Sequence, residues 1–379
     1  MQTLRTEIAD AKRIVVKVGS RALVQRTGRP DLPRLRELVR QLAALQKSGR
    51  EIVLVSSGAI AAGMEALGLT KRPTLVPDLQ MAAAVGQSRL MATYDKLFTA
   101  KGCRIGQVLL THDDLKHRTR HVNARNTMSN LLAHGIIPVV NENDVVAVDE
   151  IKFGDNDLLA SLVTMLIEAD LLILLTTVDG VRAPSGRGTK RVAVIDGISD
   201  QVLALASGKG SELSTGGMLS KLQSAGMVVA SGIPVVIANG RTDGILEAVM
   251  TGADKGTLIR PGTKTPAALQ SLRKRWIAFF HKTQGTIVVD DGARDALVKK
   301  GRSLLPIGVK AVEGDFDESA VVNVRSLDGT IIARGQTDFS SRDLRRIQGH
   351  RSEDVASILG PCDTDVVIHR DNLVLLNNS

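Results

Sequence analysis

A lysine at the end of an apolar stretch is the first residue whose position suggests chemistry. Lys17 lies within the stretch Ile14 to Val18 and is followed by Gly19 and Ser20. Burying a lysine costs free energy unless it meets an anion, and a glycine lets backbone N–H groups turn toward the same anion. Phosphate is therefore the expected ligand. Taken alone, the pattern fits an edge-strand lysine that reaches solvent equally well.

A second lysine follows a pair of glycines. Lys221 comes directly after the residues Thr215, Gly216, Gly217, Met218, Leu219 and Ser220. We expect a helix to begin here, because its first N–H groups could approach phosphate oxygens while the lysine, one turn in, reaches the same group. A flexible loop with a surface lysine is the alternative, and the presence of Lys17 makes that alternative less attractive.

Small residues at the start of another predicted helix offer a second anion site. Ser56, Ser57, Gly58 and Ala59 directly follow the apolar stretch Ile52 to Val55. Small residues at a helix N-terminus leave several N–H groups accessible to a carboxylate or a phosphate. A plain N-cap role for Ser57 is the alternative reading of the same residues.

Carboxylates and amides are concentrated in two short segments. The first, Asn141 to Asp144, follows the apolar stretch 136–140, and the second runs from Gly154 to Asp157. Asx turns account for some of these side chains, but their number exceeds what turns require. The two segments suit a ligand that carries an ammonium group. Their carboxylates could also hold magnesium, through one or two oxygens together with substrate phosphates and water.

Together the four clusters contain what phosphoryl transfer requires. We expect all of them just after apolar strands, at the carboxyl edge of an α/β sheet, where such sheets bind ligands. They provide two cations, two anion-binding turns and an acidic, amide-rich pocket. The sequence has neither a P-loop nor a G-x-G-x-x-G after a strand, so a nucleotide would be bound by another design. His112, His117, His121 and His134 have no partners visible in the sequence, and we interpret them as surface or structural residues.

The elements that position these residues alternate between strands and helices. Continuous apolar stretches predict strands at 14–18, 52–55, 136–140, 171–175 and 235–238. Helical spacing of leucines before Gly49 predicts a helix, and two more are expected near 157–167 and after Gly217. Continuous rather than alternating apolar strands indicate the α/β class, with a mostly parallel sheet covered by helices on both faces.

The end of the chain has a different pattern. Pro261 to Pro266 contains two prolines, a glycine and no apolar residue, which is typical of a linker. Beyond it, the predicted strands 321–324 and 330–333 are joined through Asp328 and Gly329, a strong hairpin signal. We therefore predict a catalytic domain over 1–260, a linker over 261–273 and a small β-rich domain over 274–379.

Composition limits the class of protein and its partners. The chain has 379 residues, 43% hydrophobic and 23% charged, which indicates two or three globular domains rather than a fibre. Two distant cysteines, Cys103 and Cys362, argue against a disulfide framework or a zinc site. Without a secretory signal or a bilayer-length apolar run, we expect a cytoplasmic protein with no membrane partner.

The positive charge of the chain is confined to its first part. The net charge is +9, yet the residues from Lys274 onwards include 15 basic and 15 acidic side chains. The whole excess therefore precedes Lys274, and a phosphate-bearing partner is favoured there.

As a whole, the motifs resemble those of the bacterial glutamate 5-kinases, in which the amino acid kinase fold is followed by a PUA domain. The resemblance runs from about Arg13 nearly to the end of the chain. It rests on the stretches VVKVGS, SSGAIAAGMEALG, AAAVGQSRLM, NARNT, PVVNENDVV, EIKFGDND, STGGMLSKLQSA, SLLPIGVKAVEG and LRRIQGH. Their order and spacing agree with that family as well.

The resemblance implies a reaction and a set of site residues. The reaction is ATP- and Mg²⁺-dependent phosphorylation of the γ-carboxylate of L-glutamate, the first step of proline biosynthesis. Lys17 and Lys221 would contact the transferring phosphate, and Asp157 would orient both lysines. Glutamate would lie among Ser57, Gly58, Ala59, Asn141, Asp144, Asp155 and Asn156. ATP would lie among Lys17, Gly19, Thr176, Thr177, Thr215, Gly216, Gly217, Met218, Leu219, Ser220 and Lys221, although the family often has Asp where this chain has Thr177. No residue is assigned as a metal ligand.

Further partners and rival functions follow from the same resemblance. It implies feedback inhibition by proline, with Asn123 to Thr127 as a candidate segment, and we also expect a homo-oligomer and hand-off to glutamyl phosphate reductase. RNA binding through Arg342, Arg345 and Arg346 is disfavoured by the zero net charge of the last domain.

The sequence leaves two rival functions to consider. The first is an amino acid kinase acting on aspartate, acetylglutamate, carbamate or UMP, against which NENDVV, FGDND and the PUA-like tail argue. The second is an RNA-binding protein with an inactive kinase domain, against which the presence of both lysines and Asp157 argues.

Overall fold

The chain divides into two compact units, each with its own apolar core. The computed structural model describes residues 5–25, 29–116, 118–146, 156–185, 188–206, 217–262, 283–360 and 364–376. The units are Met1–Thr265 and Pro266–Ser379, and their division falls within the predicted linker. The predicted site residues Asp155, Thr215 and Gly216, and positions 263–273 of the linker, lie outside the described residues.

The first unit is built on an eight-stranded sheet. Its strands, in chain order, are β1 (Arg13–Val18), β2 (Glu51–Val55), β3 (Arg104–Leu110), β4 (Ile136–Glu142), β5 (Leu171–Thr176), β8 (Val194–Asp196), β9 (Val235–Asn239) and β10 (Thr257–Arg260). Their order across the sheet is β3-β4-β2-β1-β5-β9-β10-β8, and all neighbours are parallel except β9 and β10. A separate hairpin pairs β6 (Arg182–Ser185) with β7 (Gly188–Arg191). The prediction of a mostly parallel sheet is therefore confirmed.

Eleven helices are described in this unit. They are α1 (Thr6–Ala9), α2 (Ser20–Leu23), α3 (Leu32–Lys47), α4 (Ala59–Ala66), α5 (Val76–Thr99), α6 (His112–Lys116), α7 (Arg118–Ala133), α8 (Asp157–Leu166), α9 (Asp200–Ala204), α10 (Met218–Ala230) and α11 (Ile245–Met250). Among the residues that the structure describes, no helix is long and apolar enough to cross a membrane.

The apolar stretches form strands because both sides of the sheet are covered. Val16 and Val18 of β1 face a core that also contains Leu42 of α3 and Phe98 of α5. Side chains alternate across a strand, so Lys17 points to the opposite face. Helices α8 and α10 contact the sheet and each other on that face. Helices on both faces, as predicted, thus remove all central strands from water.

Helices α4 and α5 pack at the closest distance two backbones allow. A Cβ added to Gly63 of α4 would lie 1.7 Å from the carbonyl oxygen of Ala82, and one added to Gly86 of α5 would lie 1.7 Å from that of Ala59. Only glycine fits at these two positions. The pair therefore fixes the start of α4, directly after β2, relative to the long helix α5.

The second unit has a five-stranded, largely antiparallel sheet. Its strands are β11 (Gly285–Val289), β12 (Val309–Glu313), β13 (Val321–Ser326), β14 (Ile331–Gln336) and β15 (Leu373–Leu375), in the order β12-β11-β13-β14-β15. Its helices are α12 (Asp291–Val298), α13 (Ser341–Ile347) and α14 (Val355–Leu359), with single 3₁₀ turns at Pro306–Gly308, Ser352–Asp354 and Arg370–Asn372. The predicted hairpin through Asp328 and Gly329 joins β13 to β14, and the β-rich class predicted for this unit is confirmed.

One predicted placement is not tested by the described residues. The cluster that ends in Lys221 is predicted to follow a strand, but residues 207–216 lie outside the described residues, so this placement stays a prediction. Strands β3, β8 and β10 and the β6–β7 hairpin are additions to the predicted elements. All of them except β3 are only three or four residues long, so apolar periodicity alone gives little signal for them.

Candidate active site

Two lysines from distant parts of the chain meet on one buried carboxylate. The Nζ atom of Lys17 lies 2.5 Å from Oδ1 of Asp157, and that of Lys221 lies 2.8 Å from Oδ2. The three side chains are 3%, 7% and 0% exposed, in the order Lys17, Lys221, Asp157. The carboxylate partly offsets the cost of burying the two ammonium groups. Because the trio carries one net positive charge, it forms a rigid, desolvated site for an anion.

Three elements place this trio at the carboxyl edge of the sheet. Lys17 is the fifth residue of β1 and lies beside Val55 of β2 and Leu174 of β5. Asp157 is the first residue of α8, and Lys221 lies in the first turn of α10. The carboxyl ends of parallel strands meet at one edge, so these side chains converge although they are far apart in sequence.

A cavity of about 260 Å³ adjoins the trio. Its lining consists of Ser20, Val24, Ser57, Gly58, Ala59, Ile60, Ala61, Met64, Arg72, Asn141, Asp144 and Asn156. Ser20 follows β1 and Asn156 precedes Asp157, so the cavity reaches the neighbours of two members of the trio. Six of the predicted glutamate residues, all except Asp155, are therefore brought together around one space.

The first turn of α4 lines this cavity. Gly58 precedes the helix in a left-handed conformation, with φ +103°, and no side chain caps the helix start. Such a φ favours glycine, because a Cβ would strain it. The first N–H groups of a helix have no partner within the helix, and the helix dipole favours negative charge at this end. This turn can therefore bind a carboxylate.

Hydrogen-bonded amides form another part of the cavity wall. Asn156 Nδ2 donates to the backbone oxygen of Ser56 at 2.6 Å and to Asn141 Oδ1 at 2.7 Å. Asn141 Nδ2 in turn donates to Gln87 Oε1 at 2.8 Å, while its Oδ1 also accepts from the backbone N–H of Glu142. These bonds fix which way each amide points. Asp144 is half-buried at the same wall and adds a negative charge.

Tyr94 of α5 forms a hydrogen bond with the loop that precedes α4. Its hydroxyl lies 3.0 Å from Ser56 Oγ, and both residues are fully buried. Burial raises the pKa of Tyr94 to about 12, although the Ser56 contact opposes the shift. The tyrosine therefore stays neutral at physiological pH and acts as a hydrogen-bonding support rather than a proton carrier.

The described residues predicted to contact ATP lie next to the elements that carry the trio. The Gly19 N–H donates to the oxygen of Leu175, and a Cβ on Gly19 would lie 3.8 Å from Lys17 Nζ. Thr176 ends β5 and is half-buried, whereas Thr177 is exposed. Gly217 precedes α10 without a side-chain cap, and the predicted contacts Met218, Leu219 and Ser220 occupy the first turn of that helix.

Sequence reasoning missed Arg72, Gln87 and Tyr94. Arg72 lies in the connection between α4 and α5, where a polar sequence gives no functional signal. Gln87 is part of AAAVGQSRLM, but nothing in the sequence shows that it meets Asn141. The segment proposed for proline, Asn123 to Thr127, lies on α7 and contributes no residue to the cavity lining.

The described residues fit magnesium bound mainly through the nucleotide. They include no group of three or more His, Cys, Asp or Glu side chains that could hold a metal ion, and each oxygen of Asp157 already contacts a lysine. Mg²⁺ keeps several waters and often needs only one or two carboxylates when phosphates complete its coordination. Among the cavity-lining residues, Asp144 provides one such carboxylate.

Comparison with known proteins gives consistent matches over both units. Residues 12–239 match the Amino acid kinase family and residues 285–359 match the PUA domain. The chain is 49% identical over 368 residues to glutamate 5-kinase from Geobacter sp. (strain M21), covering 96% of this chain and 98% of that one. It is 44% identical over 379 residues to glutamate 5-kinase from Myxococcus xanthus (strain DK1622), covering 99% of both chains.

A solved structure gives a weaker match. The crystal structure of UMP kinase from Bacillus anthracis aligns with a TM-score of 0.46 and 16% identity, over 66% of this chain and 96% of that chain.

Proposed function

The chain belongs to the amino acid kinase family and, within it, to the glutamate 5-kinases, and from this premise we propose how its site performs that reaction. The enzyme transfers the γ-phosphoryl group of ATP, with Mg²⁺, to the γ-carboxylate of L-glutamate, the first step of proline biosynthesis. The observation that carries the proposed mechanism is the pair of lysines on Asp157, next to a cavity of amino acid size.

The acceptor needs no general base. A glutamate γ-carboxyl has an unperturbed pKa of about 4.3, so at neutral pH it is already an anionic nucleophile. One of its oxygens attacks the γ-phosphorus, a new P–O bond forms, and the bond to the β-phosphate oxygen breaks to release ADP.

Repulsion between two anions is the main barrier that the protein must lower. Lys17 and Lys221 stabilise the charge that spreads over the transferring phosphoryl oxygens, and the N-terminus of α4 holds the carboxylate. Mg²⁺, when bound, supplies further charge neutralisation on the phosphates. Asp157 holds both ammonium groups in place before the substrates arrive, so no reorganisation is needed during the reaction.

Glutamate binds between the turn that begins α4 and the amide wall. In this arrangement Ser57, Gly58 and Ala59 orient its γ-carboxylate, while Asn141, Asp144, Asn156 and, by resemblance, Asp155 bind its ammonium end. ATP lies along Gly19, Thr176, Thr177 and the segment from Thr215 to Lys221. The product is an acyl phosphate, so enclosure by the cavity walls protects it from hydrolysis until release.

Several finer predictions remain part of this proposal. They are feedback inhibition by proline, a homo-oligomeric state, hand-off of the acyl phosphate to glutamyl phosphate reductase and a cytoplasmic location. The domain limits 1–260, 261–273 and 274–379 also remain predictions. RNA binding by the last domain stays disfavoured on charge, as the sequence indicates.

Trapping of the acyl phosphate tests the reaction. The purified chain is incubated with ATP and MgCl₂ and with glutamate, aspartate, acetylglutamate, carbamate or UMP as acceptor. ADP release is measured with every acceptor, and hydroxamate formed in the presence of hydroxylamine is measured with glutamate, aspartate and acetylglutamate. We expect hydroxamate with glutamate, and ADP release that depends on glutamate. ADP release with another acceptor but not with glutamate would favour a different amino acid kinase, and no ADP release with any acceptor would favour the inactive, RNA-binding alternative.

A further inference from the structure

The cavity lining contains two charged residues of opposite sign. They are Arg72 and Asp144, and the other ten lining residues are neutral. An amino acid backbone carries the same two charges, an α-carboxylate and an α-ammonium. On the basis of the proposed function, we infer that Arg72 binds the α-carboxylate of glutamate and makes the site specific for an α-amino acid.

Position along α4 separates Arg72 from the site of the γ-carboxylate. The cavity runs beside this helix from Ala59 in its first turn to Met64, five residues further. Five residues of helix span about 7.5 Å, comparable to the distance between the two carboxylates of an extended glutamate. Arg72 comes six residues after the end of α4 and lines the same cavity, and we infer that it lies toward the Met64 end. The γ-carboxylate at the start of α4 and the α-carboxylate at Arg72 therefore fit one molecule.

Within the described part of the chain, the guanidinium of Arg72 makes no ion pair and no hydrogen bond, either with Asp144 or with another residue. Two arginines that line another cavity of this unit, Arg34 and Arg241, do have partners. Arg34 pairs with Asp243, and Arg241 donates to backbone carbonyls. A planar guanidinium can bind a carboxylate through two parallel hydrogen bonds. Arg72 is thus available for an anionic ligand group.

The packing of α4 on α5 keeps Arg72 near the cavity. Its connection joins two helices that touch backbone to backbone at Gly63 and Gly86. Both ends of the connection are therefore fixed, although Arg72 itself is exposed. Because exposure weakens charge pairs, we expect a moderate contribution, about tenfold in glutamate affinity rather than a thousandfold.

A substrate series with matched variants tests this role. Glutamate and glutamate α-amide differ only at the α-carboxyl group, and both keep the γ-carboxylate that is phosphorylated. Each is measured by hydroxamate formation with the wild-type chain, Arg72→Ala, Arg72→Lys and Lys71→Ala. Lys71 is the adjacent exposed cation and does not line the cavity, so it controls for the loss of one positive charge. If the α-amide turns over too slowly, its inhibition constant against glutamate replaces KM.

The expected result is coupling between Arg72 and the α-carboxylate. The wild type should prefer glutamate over the α-amide, Arg72→Ala should raise the KM for glutamate about tenfold with kcat little changed, and it should leave the α-amide unaffected. Arg72→Lys should be intermediate, because an ammonium cannot form the two parallel bonds, and Lys71→Ala should match the wild type.

Two outcomes would overturn the inference while leaving the proposed function intact. One is an active wild type in which Arg72→Ala changes neither substrate. The other is an equal loss for glutamate and its α-amide, which would show that Arg72 acts on the γ-carboxylate or on the fold. Failure of the wild type to form any hydroxamate from glutamate would instead refute the proposed function.

Discussion

At the level of single residues, the site depends on one carboxylate that organises two cations. Asp157 is fully buried and accepts Lys17 and Lys221 on different oxygens. Removing one member of a buried charge cluster lowers stability more than replacing the whole cluster with apolar residues, because the remaining charges lose their compensation. Under the proposed mechanism, catalysis and local stability are therefore linked at these three positions, and variants must be chosen to separate them.

Replacing either lysine should impair chemistry far more than substrate binding. Lys17→Gln and Lys221→Gln keep a hydrogen-bond donor for Asp157 but remove the positive charge from the transferring phosphate. We expect kcat to fall by about 100-fold or more, the scale for losing one preorganised charge-stabilising group. Steady-state kinetics at saturating ATP and glutamate measure this effect.

The control for the loss of a lysine is Lys96→Ala, which removes an exposed lysine on the surface of α5. It should leave kcat unchanged, and circular dichroism should show that all three variants are folded. Normal turnover of a folded Lys17→Gln or Lys221→Gln variant would contradict the assigned role of that lysine.

At the level of elements, the position of α4 is set by its contact with α5. The two glycines at this contact, Gly63 and Gly86, leave no room for a methyl group. The N-terminus of α4 lines the cavity, so a shift of this helix would move a wall of the site. The connection between these two helices contains Arg72, so the same contact also affects the position of that residue.

Adding a methyl group at the helix contact should therefore reduce both stability and glutamate affinity. In Gly63→Ala the Cβ would lie 1.7 Å from a backbone oxygen, which forces the helices apart. We expect a loss of about 2 kcal/mol in the free energy of unfolding, a Tm lower by about 5 °C and a raised KM for glutamate.

The matched control for this substitution is Gly226→Ala in α10. A Cβ there would have its nearest neighbour, Ile198, at 3.6 Å, which is ordinary contact. Alanine also has the higher helix propensity, by about 1 kcal/mol, so this variant should be as stable as the wild type or more so. Thermal unfolding of both variants decides the comparison, and equal Tm values would argue against the tight α4–α5 contact.

An ion cluster between α3 and α11 gives the fold a defined acid sensitivity. Glu37 accepts hydrogen bonds from Arg40, from Gln41 and from the backbone of Gly244, and Arg40 also binds Glu247. The Arg40 hydrogen bond is the main reason why the pKa of Glu37 falls from 4.5 to about 2. The unfolded chain therefore takes up this proton at a higher pH than the folded chain does.

The sign of the pH effect follows from that difference. A lowered folded pKa contributes stability that is present above about pH 4.5 and is lost as the pH falls toward 2. The difference in free energy of unfolding between the wild type and Glu37→Gln should be constant near neutrality and shrink below pH 4.5. Urea titrations from pH 7 to pH 3 measure it, and an undiminished difference at pH 3 would show that Glu37 is not the titrating group.

At the level of the whole molecule, the described site lies entirely within one of the two units. The described residues predicted to bind glutamate or ATP fall between Lys17 and Lys221, inside Met1–Thr265. The second unit has its own sheet and its own core, which includes Val322, Phe339 and Leu344. The residues from Lys274 onwards include 15 basic and 15 acidic side chains, so they carry no net positive charge that would attract a polyanion.

Removal of the second unit should therefore preserve the reaction. A chain that ends at Thr265 is expected to keep kcat within about threefold of the full-length value, a change of under about 1 kcal/mol in barrier. It should also retain homopolymeric RNA on a filter at low salt no less than the full chain does. Hydroxamate formation and filter binding are the two measurements. Loss of RNA retention in the shortened chain would reverse our preference and assign RNA binding to the second unit.

Local sequence determined the elements and the types of residue that carry the chemistry. Continuous apolar stretches specified β1, β2, β4, β5 and β9, because strands that are covered on both faces must be apolar throughout. The same reasoning singled out Lys17 as an anion-binding residue, since a lysine within such a stretch requires a partner. The motifs also identified the family, and through it Asp157 as the partner of both lysines.

Only the tertiary structure decided which of these groups meet and what else joins them. The convergence of Lys17, Asp157 and Lys221 depends on strand order and on which face of β1 carries α8, and neither is encoded in any single segment. Arg72 and Gln87 had no local signal, because an exposed arginine in a connection and a glutamine on a helix are ordinary in sequence. Local sequence patterns indicate which residues are buried. A binding site instead combines residues that are far apart in the chain, and only the folded structure places them around one ligand.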